Sequence, residues 1–152
     1  MNTDPPATGD LRLVVGYDGS PPAVRALDGA VRLLQGRTGG IEVVYIAHLP
    51  AVDMMSADAI VGVEESFDEV TRDLHAQVRE QLRGREDRWV FARGDGAVPD
   101  VLIATAARLH DEHPGDTVVI VVGSSSQAMH RVVGSVAVSL ARRAEVPIII
   151  VP

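Results

Sequence analysis

Residues 117–126 read Thr-Val-Val-Ile-Val-Val-Gly-Ser-Ser-Ser, and this stretch decides the fold. A strand with one wet face alternates apolar and polar side chains. A continuous apolar run such as Thr117 to Val122 instead belongs to a central parallel strand covered by helices on both faces. Parallel neighbours cannot be joined by tight hairpins and need helical crossovers. The rest of the chain should therefore alternate strand and helix.

Reading outward, it does. Leu11 to Gly16 (LRLVVG) is a β-branched run of strand length ended by glycine. Ser20 is a helix N-cap, with Pro21 and Pro22 tolerated in the first turn. Val24, Leu27, Ala30, Val31 and Leu34 follow at helical spacing, and Gly36 closes that helix. A second strand is expected over Ile41 to Ala47, and residues 48–59 have no clear period and read as a mobile loop. Val63, Phe67, Val70, Leu74, Val78 and Leu82 then form an apolar stripe on a second helix. Arg88 to Arg93 gives a third strand, and a third helix from Pro99 sets Val98, Leu102, Thr105, Ala106 and Leu109 on one side. After the 117–122 strand a polar loop, Ser124 to Arg131, leads to a helix beginning near Gly134-Ser135. Val146 to Val151 is the final strand. Alternation of this kind with right-handed crossovers gives a doubly wound α/β sheet. Residues 1–10 read as a flexible lead-in and residues 11–152 as one domain, without internal repeats.

Composition narrows the chemistry. Hydrophobic residues make up 46% of the 152 and aromatics 3%, so the core must be aliphatic. All 14 basic residues are Arg. Without Lys there is no Walker-A phosphate loop and no Schiff base. The net charge of −7 argues against non-specific nucleic-acid binding, which needs cations to neutralise phosphates. Absence of Cys excludes disulfides and thiolate metal sites. No apolar run approaches the roughly 20 residues of a membrane helix, and no signal core is seen near Met1, so a cytoplasmic protein is expected.

A ligand of such a sheet sits beyond the carboxyl ends of its strands, where the strand order reverses. Two loops are suited to it, after the first and fourth strands. On Gly16-Tyr17-Asp18-Gly19-Ser20, the Asp18 carboxylate can accept hydrogen bonds from a ribose hydroxyl or an adenine amine, or it can help cap the first helix. Gly123-Ser124-Ser125-Ser126, followed after seven residues by Gly134-Ser135-Val136, lets backbone approach a phosphate. The same loop can also simply turn the chain. Other candidates carry less. His110 and His113 have a spacing that suits a metal but lack a third ligand. His48 and His75 read as loop and helix-surface residues. Glu64, Glu65, Asp68 and Glu69 form a solvated face, with Asp68 four residues from Arg72. Trp89 and Phe91 read as packing residues. A receiver domain shares the outline but needs an acidic pair after strand one and a Lys after strand five, and neither is present.

Residues 14–20 (VVGYDGS), 93–102 (RGDGAVPDVL), 121–126 (VVGSSS) and 133–152 (VGSVAVSLARRAEVPIIIVP) together resemble the universal stress proteins over about residues 11–152. The resemblance implies a three-layer sandwich of the adenine nucleotide alpha hydrolase-like type. Its five-stranded parallel sheet would have the order 3-2-1-4-5. It also implies a regulatory module that binds ATP or another adenine nucleotide in many members and not in others. Carried over, Asp18 is the acidic adenosine contact and Ile46 the apolar residue whose backbone meets adenine. Gly123 is the first glycine of the phosphate loop, and Gly134, Ser135 and Val136 open the helix that receives phosphate. The loop departs from the family's ATP pattern. Ser126 stands at its second glycine, and seven residues rather than nine precede Gly134. Two fewer residues shorten its reach by up to about 7 Å, which weakens the triphosphate end first. The hydroxyls of Ser124, Ser125 and Ser126, with Arg131 and His130, can compensate in part, or Arg131 is an exposed cation beside a helix start.

No general base accompanies a phosphate-positioning group, so an adenine nucleotide held with little or no turnover is expected, and no divalent metal is assigned. The alternatives are a dimeric interaction module without nucleotide and a slow ATPase using Asp18 and a metal. A homodimer through Val146 to Val151 is expected, because Pro147 leaves the N–H groups of Ile148, Ile149 and Ile150 for pairing across a two-fold axis.

Overall fold

Serine caps and glycine turns set the helix starts and strand ends. The computed structural model describes residues 9–47, 56–124 and 134–152. In chain order these form β1 (Leu11–Gly16), α1 (Pro21–Leu34), β2 (Gly39–Ala47), α2 (Ala57–Gln81), β3 (Trp89–Asp95), α3 (Val98–Glu112), β4 (Thr117–Gly123), α4 (Ser135–Arg143) and β5 (Ile148–Val151). The sheet is parallel throughout, in the order β3-β2-β1-β4-β5. Ser20 caps α1, its hydroxyl accepting from the Ala23 N–H at 3.4 Å, and Pro21 and Pro22 occupy the first turn as expected.

Each face of the sheet carries its own core. Leu13 and Val15 of β1, Val43 and Tyr45 of β2, and Val119 and Val121 of β4 pack under α1 and α2. Val14, Val44, Ile120 and Val122 face α3 and α4, where Leu102, Ala106 and Leu140 meet them. Residues 118–122 of β4 are all buried, as a run apolar on both faces requires. No charged or polar residue is buried among the described residues. No described helix is long and apolar enough to cross a membrane.

Several local expectations change. α2 begins at Ala57, where Ser56 accepts from the Ala59 N–H at 3.3 Å, so the end of the expected 48–59 loop is helical; residues 48–55 lie outside the described residues. The stripe on α2 is buried only at Leu74 and Val78, and at Leu82 just beyond the helix, while Val70 is 43% exposed. Length explains the exposed first turns, whereas Val70 is exposed because it sits at the margin of the stripe, Phe67 before it still packing against the core. The 25 residues of α2 rise about 38 Å, against about 30 Å for the nine of β2. The first turns of α2 therefore outrun the sheet. His75 is half-buried rather than fully on the surface: its ring stacks on Phe91 at 5.0 Å and meets Trp89 edge-on at 5.7 Å. Asp68 pairs with Arg93 of β3 at 3.1 Å, whereas Arg72 reaches only the Asp68 carbonyl.

The terminal strand needs the most consequential correction. It is an edge strand that starts at Ile148 rather than Val146. The carbonyls of Pro147 and Val151 accept from the N–H groups of Ile120 and Ser124 at 3.0 and 2.7 Å. Backbone groups alternate in direction along a strand, so those of residue 149 also face β4. Only Ile148 and Ile150 direct N–H groups away from the sheet, and not all three isoleucines.

Candidate functional site

The site begins where β1 stops. Tyr17 still donates its N–H to the Val44 carbonyl at 2.9 Å, which prolongs the pairing by one residue past Gly16. The chain then turns through Gly19, which takes a φ of +78°, a left-handed conformation that costs glycine nothing. A Cβ there would also lie 2.7 Å from Leu74 Cδ2. Asp18, between these two, is exposed, and its Oδ1 accepts from the Ser20 N–H at 2.9 Å. This local Asx bond organises the entry to α1 through one oxygen. A carboxylate has further lone pairs, so helix entry and ligand contact do not exclude each other.

Gly123, at the end of β4, has a structural reason independent of any ligand. A Cβ at this position would stand 2.1 Å from the Pro22 carbonyl oxygen. Only glycine lets β4 end against the first turn of α1. Ser124 follows, donating its N–H to Val151. On the other side of residues 125–133, Gly134 is the extended N-cap of α4 and supplies no side-chain cap. The first N–H groups of that helix are thus without a side-chain acceptor among the described residues, and they carry the positive end of its dipole.

These pieces meet around one cleft of about 280 Å³. Gly16, Tyr17, Asp18, Ser20, Pro22 and Ala23 form its β1–α1 side, Ile46, Val98, Leu102 and Val122 line it with apolar side chains, and residues 123 and 134–137 complete it. Of the expected site residues, Asp18, Ile46, Gly123, Gly134, Ser135 and Val136 all line this cleft. Ser124 does not line it, its described backbone bonds being directed to Val151 and Arg25. Ser126, with Ser125, His130 and Arg131, lies outside the described residues. Val98 and Leu102 were not expected at the site. The two α3 residues were read as one core-facing stripe, which they also are; that Val98 opens α3 at the carboxyl end of β3 was the available signal.

The electrostatics are simple. Asp18 is the one carboxylate on the described lining. Burial, then Asp18 and Asp28, push the Tyr17 phenol above its ordinary value, so it stays neutral across physiological pH. Among the described residues no group of three side chains is arranged to hold a metal ion. His113 instead has its Nδ1 3.4 Å from the Arg12 guanidinium, in a cluster around Asp116 that ties β1 to the α3–β4 turn. The arrangement can enclose a flat apolar group, accept hydrogen bonds at Asp18 and receive an anion at the start of α4.

Known proteins agree with this architecture. The chain matches Lactobacillus plantarum universal stress protein UspA with 18% identity and a TM-score of 0.73, covering 95% of this chain and 99% of that one. A universal stress protein solved in complex with cAMP matches with 21% identity and a TM-score of 0.61, covering 95% and 98%. One from Burkholderia pseudomallei matches with 21% identity and a TM-score of 0.57, covering 97% and 99%. At these identities the likeness is one of fold. No curated protein sequence matches the chain. The model of the Universal stress protein family matches residues 11–152, from β1 through β5, and the chain belongs to that family.

Proposed function

We propose that this protein is a cytoplasmic regulatory module of the stress response that binds an adenine nucleotide in the cleft with little or no turnover. The observation that carries the reading is the convergence of Asp18, Ile46, Gly123 and the start of α4 on one apolar cleft. Ile46 and Val98 would flank the adenine, Asp18 would accept from the ribose or the adenine amine, and the N–H groups near Gly134-Ser135 would receive phosphate. A family structure in complex with cAMP is in keeping with a ligand of that class. Turnover would need a base beside the phosphate, and the described lining offers no carboxylate besides Asp18.

Calorimetry with AMP, ADP, ATP and cAMP tests this. The expected result is saturable binding, with ATP gaining less than about tenfold over AMP, or under about 1.4 kcal/mol. A thousandfold preference for ATP would mean that the short loop still grips a triphosphate. Absence of binding by all four would leave the interaction-module reading.

The module is proposed to act as a homodimer joined through β5. That strand is an apolar edge with two outward N–H groups, and Ile150 is 36% exposed on it. Light scattering at micromolar concentration should give twice the 16.2 kDa of one chain. Ile150→Pro removes an outward donor and spares the bonds to β4, so it should shift the protein towards monomer. A single-chain mass for the unmodified protein would overturn the proposal.

A further inference from the structure

A second cleft lies at the opposite end of the sheet from the first, towards the amino ends of β2 and β3. It encloses about 240 Å³, and Leu34, Ile41, Leu82 and Trp89 give it apolar walls. Arg85 and Arg88 also line it, and no carboxylate does. The turn after α2 sets them there. The Arg85 N–H donates to the Leu82 carbonyl and the Arg88 N–H to the Arg85 carbonyl, both at 3.0 Å. Arg88 is held across the start of β2, its Nε donating to the Gly39 carbonyl at 3.2 Å and its terminal nitrogen to that of Arg37 at 2.5 Å. No carboxylate among the described residues pairs with either guanidinium within 4 Å. The two acids next to them in sequence are placed elsewhere: Glu86 accepts from the Gly84 N–H at 2.9 Å, and Asp87 lines a different cleft. Trp89 adds an unspent donor, an indole N–H that is buried without an acceptor among the described residues. On a chain of net charge −7, apolar walls with two cations and no anion suit an anion that carries an apolar body.

We propose that this second cleft binds a small monocarboxylate, its carboxylate held by the Arg85 guanidinium and its hydrocarbon body laid on Leu34, Ile41 and Trp89. A guanidinium grips a carboxylate through two parallel N–H donors. The apolar walls favour burial of the body, which a bare inorganic anion lacks. The proposal does not depend on the nucleotide reading, whose cleft lies beyond the other ends of the strands. The bland role for Arg85, a cation near the end of α2 that meets the helix dipole, needs no ligand and is separated by the test.

Trp89 is the chain's single tryptophan, so its emission reports on this cleft. The test is fluorescence titration of the full chain, wild type and Arg85→Gln, with isovalerate, isovaleramide and inorganic phosphate at constant ionic strength. Isovalerate should change the emission saturably and bind the wild type at least about tenfold more tightly than isovaleramide, which has its shape without its charge. Phosphate should bind more weakly than isovalerate. Arg85→Gln should weaken isovalerate about five- to twentyfold and leave isovaleramide within about twofold. Its melting temperature should stay near that of the wild type, because Arg85 is exposed. Equal affinity for acid and amide, no saturable response to isovalerate, or tighter binding of phosphate would overturn the proposal. An Arg85→Gln protein that binds isovalerate as the wild type does would also overturn it and leave Arg85 its bland role. Should Arg85→Gln not fold, the acid-to-amide ratio of the wild type decides alone.

Discussion

Leu102→Ala should lose about 2–5 kcal/mol of stability, the range for a fully buried leucine cut back to its Cβ. Leu102 is 0% exposed and sits among Val14, Val44, Ile120, Val122 and Leu140, in the core between the sheet and the α3–α4 layer. Its Cδ1 lies 3.3 Å from where a Cβ on Gly16 would stand, so it fills the space that this glycine leaves. Backbone of β1 and β4 borders the site, and neither strand can collapse into the void without disturbing its ladder. The substitution should also weaken nucleotide binding, because the same side chain lines the cleft. Thermal unfolding checks the first effect and calorimetry the second. A melting curve unchanged from the wild type would contradict the packing described.

Asp18→Ala should weaken nucleotide binding roughly 10–150-fold, the equivalent of one hydrogen bond to a charged group. Stability should fall only slightly, through loss of the exposed bond from the Ser20 N–H to Asp18 Oδ1. Asp18→Asn separates the two roles. An amide oxygen can still accept from Ser20 and keep the turn, but it brings no negative charge to the ligand. Asn should therefore restore the melting temperature and leave affinity low. If Asn restores both, the residue acts by shaping the turn. If Ala lowers the melting temperature and leaves affinity unchanged, Asp18 serves helix entry alone.

The legible parts of the fold were those where one local pattern has one physical outcome. A run apolar on both faces, 118–122, has to be a central strand, and once β4 is central the alternation of elements follows. Ser20 before two prolines has to start a helix. What stayed hidden depends on distance in space. Periodicity gives α2 an apolar stripe but not which edge of it turns towards the sheet, so Val70 looks identical to Leu74 in sequence and differs in burial. Asp68 has Arg72 four residues away on its own helix, yet Arg93 on a neighbouring strand takes it. The direction of N–H groups on β5 is set by its register with β4, which no reading of Pro147-Ile148-Ile149-Ile150 supplies. At the site, glycine and carboxylate positions stood out because little else explains them. Val98 and Leu102 did not, because one stripe of α3 serves the core and the cleft together.

The central claim is that the cleft at the carboxyl ends of β1 and β4 receives an adenine nucleotide. Backbone-amide NMR spectra recorded while AMP is titrated into the full chain test it most directly. The account predicts saturable shifts at Asp18, Ile46, Gly123, Ser135 and Val136, on both sides of the cleft at once. Shifts confined to the other end of the molecule, around Leu34, Arg85 and Trp89, or none at millimolar AMP, would contradict it.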